Sequence, residues 1–236
     1  KMLREYVLRY PTLSEEEYKS SAIAQNMYIR LPEASNCYWY EENGDYQSVD
    51  VHFEKKNGYK EVSSAAARLG ILLKIDGVAD MFARNGYATQ FKQNPYIMCP
   101  VLFNNIYKGA LGEVVGKHIF EMQYGYHLRE ITDPSIFEKF DYVMDDGIFV
   151  DFKHWKDQAF DVSNSEVLKK ISNKLTQCGG KKVIIANLLA DVNMKYNVAP
   201  TGENLEILEI PCLCMEGTGE IVPNAILYIR RFVNGD

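Results

Sequence analysis

The sequence predicts a mixed α/β (α+β) protein, on two observations. From about residue 101 onward a helical pattern is followed by short strands, then a second helix and more strands. Before that point, apolar positions recur at helical spacing in two separate stretches. The expected organisation is an accessory, partly helical region over 1–100 and a mixed sheet flanked by helices over 101–236.

In the first region, Leu13 to Ile29 and Glu61 to Arg84 place apolar residues at i, i+3 and i+4, as with Leu69, Leu72 and Leu73, while Gly70 and Gly77 weaken the second stretch. Between them Tyr38 to Phe53 reads as strand and turn, with Asn43-Gly44 as a hairpin signal. Tyr38, Trp39 and Tyr40 have the chemistry for base stacking, with core or interface packing as the commoner use.

In the second region, Gly109 to Met122 predicts a helix and Tyr126 to Ile131 a strand. Asp133-Pro134 opens a short helical turn, which leads into strands over Phe140 to Met144 and Ile148 to Trp155. The string Ser163-Asn164-Ser165-Glu166 reads as a capping box for a helix with Leu168, Ile171 and Leu175 on one face, stopped at Gly179-Gly180. Three further strands are expected over Lys182 to Leu189, Leu205 to Ile210 and Ala225 to Phe232.

Composition narrows the function classes. The chain has 236 residues, 47% hydrophobic and 25% charged, which is ordinary for a globular protein. Its apolar runs, such as Val183 to Ala190 interrupted by Asn187, fall far short of the roughly 20 residues that cross a bilayer, so no membrane partner is expected. No charged start with an apolar block is present, and five scattered cysteines point to a reduced, cytoplasmic setting rather than a disulfide framework. Cys212 and Cys214 lack a second close Cys or His pair, which favours buried thiols over a zinc site. Lys1 in place of an initiating Met is what a processed chain or a piece of a longer protein would show.

A net charge of −6 argues against a surface devoted to nucleic acid. Locally, Lys169, Lys170, Lys174, Lys181 and Lys182 form a basic cluster that could face phosphates or simply solvate a helix face.

The chemistry concentrates in Phe140 to Lys153. Alternation along a strand puts Asp151 and Lys153 on one side and Val150 and Phe152 on the other. With a three-residue loop of Asp145-Asp146-Gly147, Met144 pairs with Ile148 and Asp141 faces Asp151. Phe140, Tyr142, Met144, Ile148, Val150 and Phe152 then form an apolar face, and Asp141, Asp151 and Lys153 gather with Val143 and Phe149 on the other. A two-residue Asp146-Gly147 turn would separate the aspartates instead. Facing carboxylates, about 5 Å apart at Cβ, repel one another unless a cation or nearby lysines compensate them.

These residues resemble the PD-(D/E)XK nuclease superfamily: an acidic residue leading one strand, then an acidic residue, any residue, and Lys on the next. The tripeptide alone recurs by chance, as Glu17-Tyr18-Lys19 and Glu54-Lys55-Lys56 show. The context adds to it, because Glu113 sits on a helix before the hairpin and a lysine-bearing helix follows it. Phe140 stands where the family usually has proline, and Asp151 where it more often has glutamate. The likeness spans roughly residues 101–190 and is similar to nuclease domains attached to helicases in prokaryotic DNA-processing or defence proteins.

The resemblance implies a restriction-endonuclease-like fold and hydrolysis of phosphodiester bonds in DNA, with RNA as an alternative substrate. Glu113, Asp141, Asp151 and Lys153 would be catalytic. Asp141, Asp151, the Phe152 backbone carbonyl and Glu113 would hold Mg²⁺ or Mn²⁺, and Lys169, Lys170 and Lys174 would contact nucleic acid. A helicase or other motor in cis or trans, or a second copy in a homodimer, would be the partner. A catalytically inactive module on the same fold is the rival reading. His154 should face away from Lys153, and His118 fits a structural or rim position.

Overall fold

The computed structural model describes residues 2–30, 39–42, 45–48, 70–89, 94–154, 164–190, 196–202 and 204–236. The chain divides into two compact units, Lys1–Leu111 and Gly112–Asp236. The division falls inside a run of consecutive helical turns that begins at Pro100 and ends at Gln123, α-helical over Lys108–His118 and π-helical over Phe103–Tyr107 and Ile119–Gln123.

The first unit holds helices α1 (Met2–Arg9), α2 (Glu15–Ser20), α3 (Ala22–Met27) and α4 (Val78–Asn85). Its three-stranded antiparallel sheet places β5 (Tyr96–Met98) between β1 (Thr12–Leu13) and β2 (Tyr28–Arg30). The helical spacing over Leu13 to Ile29 is therefore carried by two short helices, with parts of two strands at its ends. Local hydrogen bonding overrides the apolar period here. Ser14 and Glu17 form a capping box that starts α2, and Ser21 ends α2 while its hydroxyl accepts from the Ala24 amide to start α3.

Of the stretch Glu61 to Arg84, residues 61–69 lie outside the described part, and α4 begins after Gly77, whose φ of 75° no helix interior adopts. Strands β3 (Trp39–Glu42) and β4 (Asp45–Ser48) pair antiparallel, with Glu42 opposite Asp45. Asn43, Gly44 and Tyr38 are outside the described residues, as are 49–53.

The second unit is a mixed six-stranded sheet flanked by helices. Its strands are β6 (Leu128–Glu130), β7 (Tyr142–Met144), β8 (Phe149–Lys153), β9 (Lys182–Asn187), β11 (Asn197–Thr201) and β12 (Leu205–Ile210), in the order β11-β12-β9-β8-β7-β6. A minor parallel pair joins β10 (Leu189–Ala190) to β13 (Cys214–Met215). Strands β8, β9 and β12 run parallel and the remaining neighbours are antiparallel.

Central strands of such a sheet are covered on both faces and read as continuous apolar runs. That is why Val183, Ile184, Ile185 and Ala186 are all buried. One face is covered by α6 (Ser165–Gln177), whose Ile171 and Leu175 pack with Phe140, Phe149, Val183, Ile185 and Ile207. The helix is capped by Asn164, which accepts from the amides of Glu166 and Val167; Ser163 of the expected capping box lies outside the described residues.

The other face receives α5 (Lys108–His118) and the π-helical turns after it, through Gly112 against the His154 Cβ and Phe120 edge-on to Phe152 at 5.3 Å. Helix α7 (Pro223–Asn234) lies on this same side, with the Lys182 ammonium donating to the Phe232 carbonyl at 2.9 Å. Here the expected strand over Ala225 to Phe232 is overturned. Ala225, Ile229 and Phe232 are buried at spacings of four and three, Pro223 occupies the first turn and Gly235 closes the end at φ 81°. These helix signals are hidden by a run of β-branched and aromatic residues.

Gly116 lets α5 approach the sheet. A Cβ at this position would stand 2.3 Å from the Phe152 ring, closer than any real contact, whereas one at Gly109 would meet nothing within 4 Å. Gly116→Ala is expected to lower stability by about 1–3 kcal/mol through overpacking. Gly109→Ala should be neutral or stabilising by up to about 1 kcal/mol through helix propensity. Thermal denaturation of the two variants side by side reads the difference.

Candidate active site

The hairpin closes as the three-residue loop requires. The Met144 amide donates to the Ile148 carbonyl at 2.8 Å, Val143 pairs with Phe149 and Tyr142 with Val150, and Gly147 adopts φ 84°, a conformation that penalises any side chain with a Cβ. The ladder then changes one step before the aspartates. Asp141 lies outside β7, and its amide donates to the Val150 carbonyl at 3.1 Å, the same residue that Tyr142 faces.

This local offset behaves as a bulge and resets the alternation of side chains. Phe140, expected beside Tyr142, stands instead with Phe149 under α6, their ring centroids 5.3 Å apart. Tyr142 keeps to the opposite face, 6.0 Å from the Phe152 ring. The apolar underside expected of the hairpin is thus real for Tyr142, Met144, Ile148, Val150 and Phe152, all buried, but not for Phe140.

A side chain takes the place of the absent ladder bond. Backbone groups alternate sides along a strand, and the Lys153 carbonyl accepts from Leu188 on the β9 side. Phe152 therefore turns its N–H and C=O toward β7. Asp141 Oδ2 accepts that N–H at 2.7 Å, which holds the carboxylate against the strand carrying Asp151. Asp151 is buried at 7% exposure, and its Oδ2 is 2.7 Å from the Lys153 ammonium, two residues along and on the same face.

Four residues singled out in the sequence come together electrostatically. The Asp141 carboxyl is pushed up to about 9, first by burial, then by repulsion from Asp151 and from Glu113; the Phe152 amide and Lys153 act in the opposite direction. Glu113, half-buried on α5, lies one turn before Gly116. A Cβ at Gly116 would strike Phe152, so the bare backbone there lets the helix come close to β8, whereas one at Gly112 would make an ordinary contact of 3.6 Å with the His154 Cβ. Both His118 and His154 are buried, and His154 faces α5 rather than the side of Lys153.

Next to the hairpin is a cleft of about 460 Å³. Asp151 and Lys153 line it from the sheet and Val167, Lys170, Ile171 and Lys174 from α6. The helix residues follow the i, i+3, i+4, i+7 stripe that a helix presents to one neighbour, and Lys169 lies off that stripe on an exposed position. Sequence reasoning does not single out Asn173 and Gln177, which also line the cleft. The signal is available in the same stripe, since Gln177 extends it by one turn.

Among the described residues no group of three or more His, Cys, Asp or Glu side chains stands in the arrangement of a ready-made metal site. The donor chemistry nevertheless suits a hard divalent cation. Three carboxyl groups share one region with one ammonium, and burial first, then the other two carboxyls, favour the neutral form of Asp141. The Asp141 and Asp151 oxygens are engaged by an amide and by Lys153 respectively.

No family model matches the chain, and no curated protein is significantly similar to it. Solved structures that match include "Refined half-complex from tetradecameric assembly of Thermococcus gammatolerans McrB AAA+ hexamers with bound McrC", at 12% identity and a TM-score of 0.36. The match covers 54% of this chain and 33% of that one. Among the described residues no helix is long and apolar enough to cross a membrane.

A carboxyl whose value rises on folding keeps a proton that the unfolded chain gives up from about pH 4. Its contribution to stability is full below that range and is lost as pH climbs through about 9. Asp141→Asn keeps an oxygen for the Phe152 amide and removes the titration. In chelator, the variant should therefore have a higher Tm than the parent at pH 8 to 9 and little or no advantage at pH 4. Thermal denaturation across that pH range checks the sign.

Proposed function

We propose that this protein is a metal-dependent nuclease that hydrolyses phosphodiester bonds in DNA. The observation that carries the reading is the convergence of Asp141, Asp151, Glu113 and Lys153, with Asp141 driven toward its neutral form first by burial and then by the carboxylates around it. Such a cluster is costly for a fold to keep unless something positive completes it.

Mg²⁺ or Mn²⁺ would be that cation. Asp141 and Asp151 would hold it, with Glu113 and the Phe152 carbonyl as further oxygen donors, since that carbonyl turns toward the same side as the Asp141-bound amide. When bound, the cation supplies a lowered pKa for a water molecule and neutralises charge on phosphate oxygens. Lys153, anchored on Asp151, places an ammonium beside the reacting phosphate and stabilises the negative charge that develops there. The open cleft beside it, bordered by Lys170 and Lys174, supplies the approach for a phosphate backbone.

Part of the same proposal is a setting within a larger DNA-processing or defence system, as the resemblance of residues 101–190 to helicase-attached nuclease domains implies. A motor in cis or trans would then deliver the substrate.

The experiment is cleavage of plasmid, linear duplex, single-stranded DNA and RNA with Mg²⁺, with Mn²⁺ and with chelator. The parent chain should cut DNA with either metal and stop in chelator. Asp151→Ala and Lys153→Ala should each lose about 10²–10³-fold in rate, the scale on which removing one charge-stabilising group acts. Equal rates in the three proteins would remove the proposal.

A further inference from the structure

We infer that the substrate of this site is an unpaired strand, one nucleotide of which enters the cleft beside Asp151 with its base on the apolar floor and its phosphate at the lysine rim. The inference rests on the nuclease reading and adds the substrate class to it.

The cleft has two chemically distinct parts. Its floor is the buried Phe140, Ile171 and Ile185, and the half-buried Val167 on α6 adds accessible carbon surface beside them. Its rim is Lys170 and Lys174, both exposed, together with Lys153. Three ammonium groups against the single Asp151 carboxylate leave the lining net positive in a chain whose total charge is −6. The rim therefore has charge to offer an anion.

An intact duplex would use only half of this. It presents phosphates outward and keeps the flat faces of its bases stacked inside, so a grease-floored recess has nothing to receive from it. A single strand offers both parts at once, a charged backbone and apolar base faces, and proteins that hold such strands pair a cationic groove with aromatic side chains on which bases stack. At about 460 Å³ the cleft belongs to the size class that encloses one small organic ligand rather than a helix. Because Asp151 and Lys153 line the same space, a nucleotide seated there has its phosphate beside the proposed reacting groups.

The test is binding without cleavage. The full chain in EDTA is titrated with a fluorescein-labelled oligodeoxynucleotide and with the same sequence as a duplex, over a series of salt concentrations. The single strand should bind about tenfold more tightly, the scale of stacking one base on protein. Lys170→Ala and Lys174→Ala should each lower the salt slope of single-strand binding by about 0.7, the increment that one neutralised phosphate contributes. Lys169→Ala, off the cleft, should leave that slope unchanged. A 2-aminopurine placed within the strand should change its emission on binding as it leaves its neighbours.

Duplex binding as tight as single-strand binding overturns the inference, and so does a drop in slope at Lys169 equal to that at the rim lysines. Either result leaves the nuclease reading to its own cleavage assay. Conversely, single-strand preference in a chain that cuts nothing overturns the nuclease reading and keeps the cleft assignment.

Discussion

The second unit depends on one hydrogen bond made in place of another. Where β7 should continue pairing with β8, the Phe152 amide is taken by the Asp141 carboxylate instead of by a backbone carbonyl. A buried amide left without a partner would cost about 1–3 kcal/mol, so the side chain satisfies a real requirement of the strand while being drawn into a crowded, negative environment. The same bond fixes the direction of the carboxyl and brings it to Asp151. Structural need and site geometry are thus met by a single contact.

The charge balance around that bond explains why the arrangement is tense. Lys153 offsets Asp151 at 2.7 Å, but Glu113 adds a third carboxyl from a different element, and burial weakens the screening that water would supply. Burial first, and this repulsion after it, favour the neutral form of Asp141. A fold can carry such a cluster only on a rigid support, and here the support is close packing. Gly116 admits the Phe152 ring against α5, Phe120 meets it edge-on, and Phe140 and Phe149 fill the opposite side beneath α6.

Much of this is legible in the residues. The residues Asp145-Asp146-Gly147 announce a hairpin turn but leave two lengths open, and the Met144–Ile148 hydrogen bond selects the three-residue loop. The stripe of Leu168, Ile171 and Leu175 announces α6 and the face it buries, and the Asn-Gly pair announces the β3–β4 hairpin. Other stretches mislead for physical reasons. Ala225 to Phe232 contains enough Ile, Tyr and Phe to suggest a strand, yet Pro223 and Gly235 bracket a helix. Leu13 to Ile29 has a helical period that two serine caps interrupt. Local propensity and capping compete at short range, and a pattern count does not weigh them against each other.

By itself, the sequence determined that Asp151 and Lys153 share one side of their strand, since side-chain alternation is a short-range property of a few consecutive residues; it left the length of the loop, and so what faces them, to the structure. It also determined which helix face carries lysines beside an apolar stripe. Only the tertiary structure decided that the ladder shifts at Asp141 and moves Phe140 to the other face, because that choice depends on how α6 and β8 pack around it. It decided as well that Glu113 reaches the same charge cluster and that Asp151 and Lys153 open onto a cleft under α6. These are relations between elements far apart in the chain, and they arise from packing geometry that no local window of sequence contains.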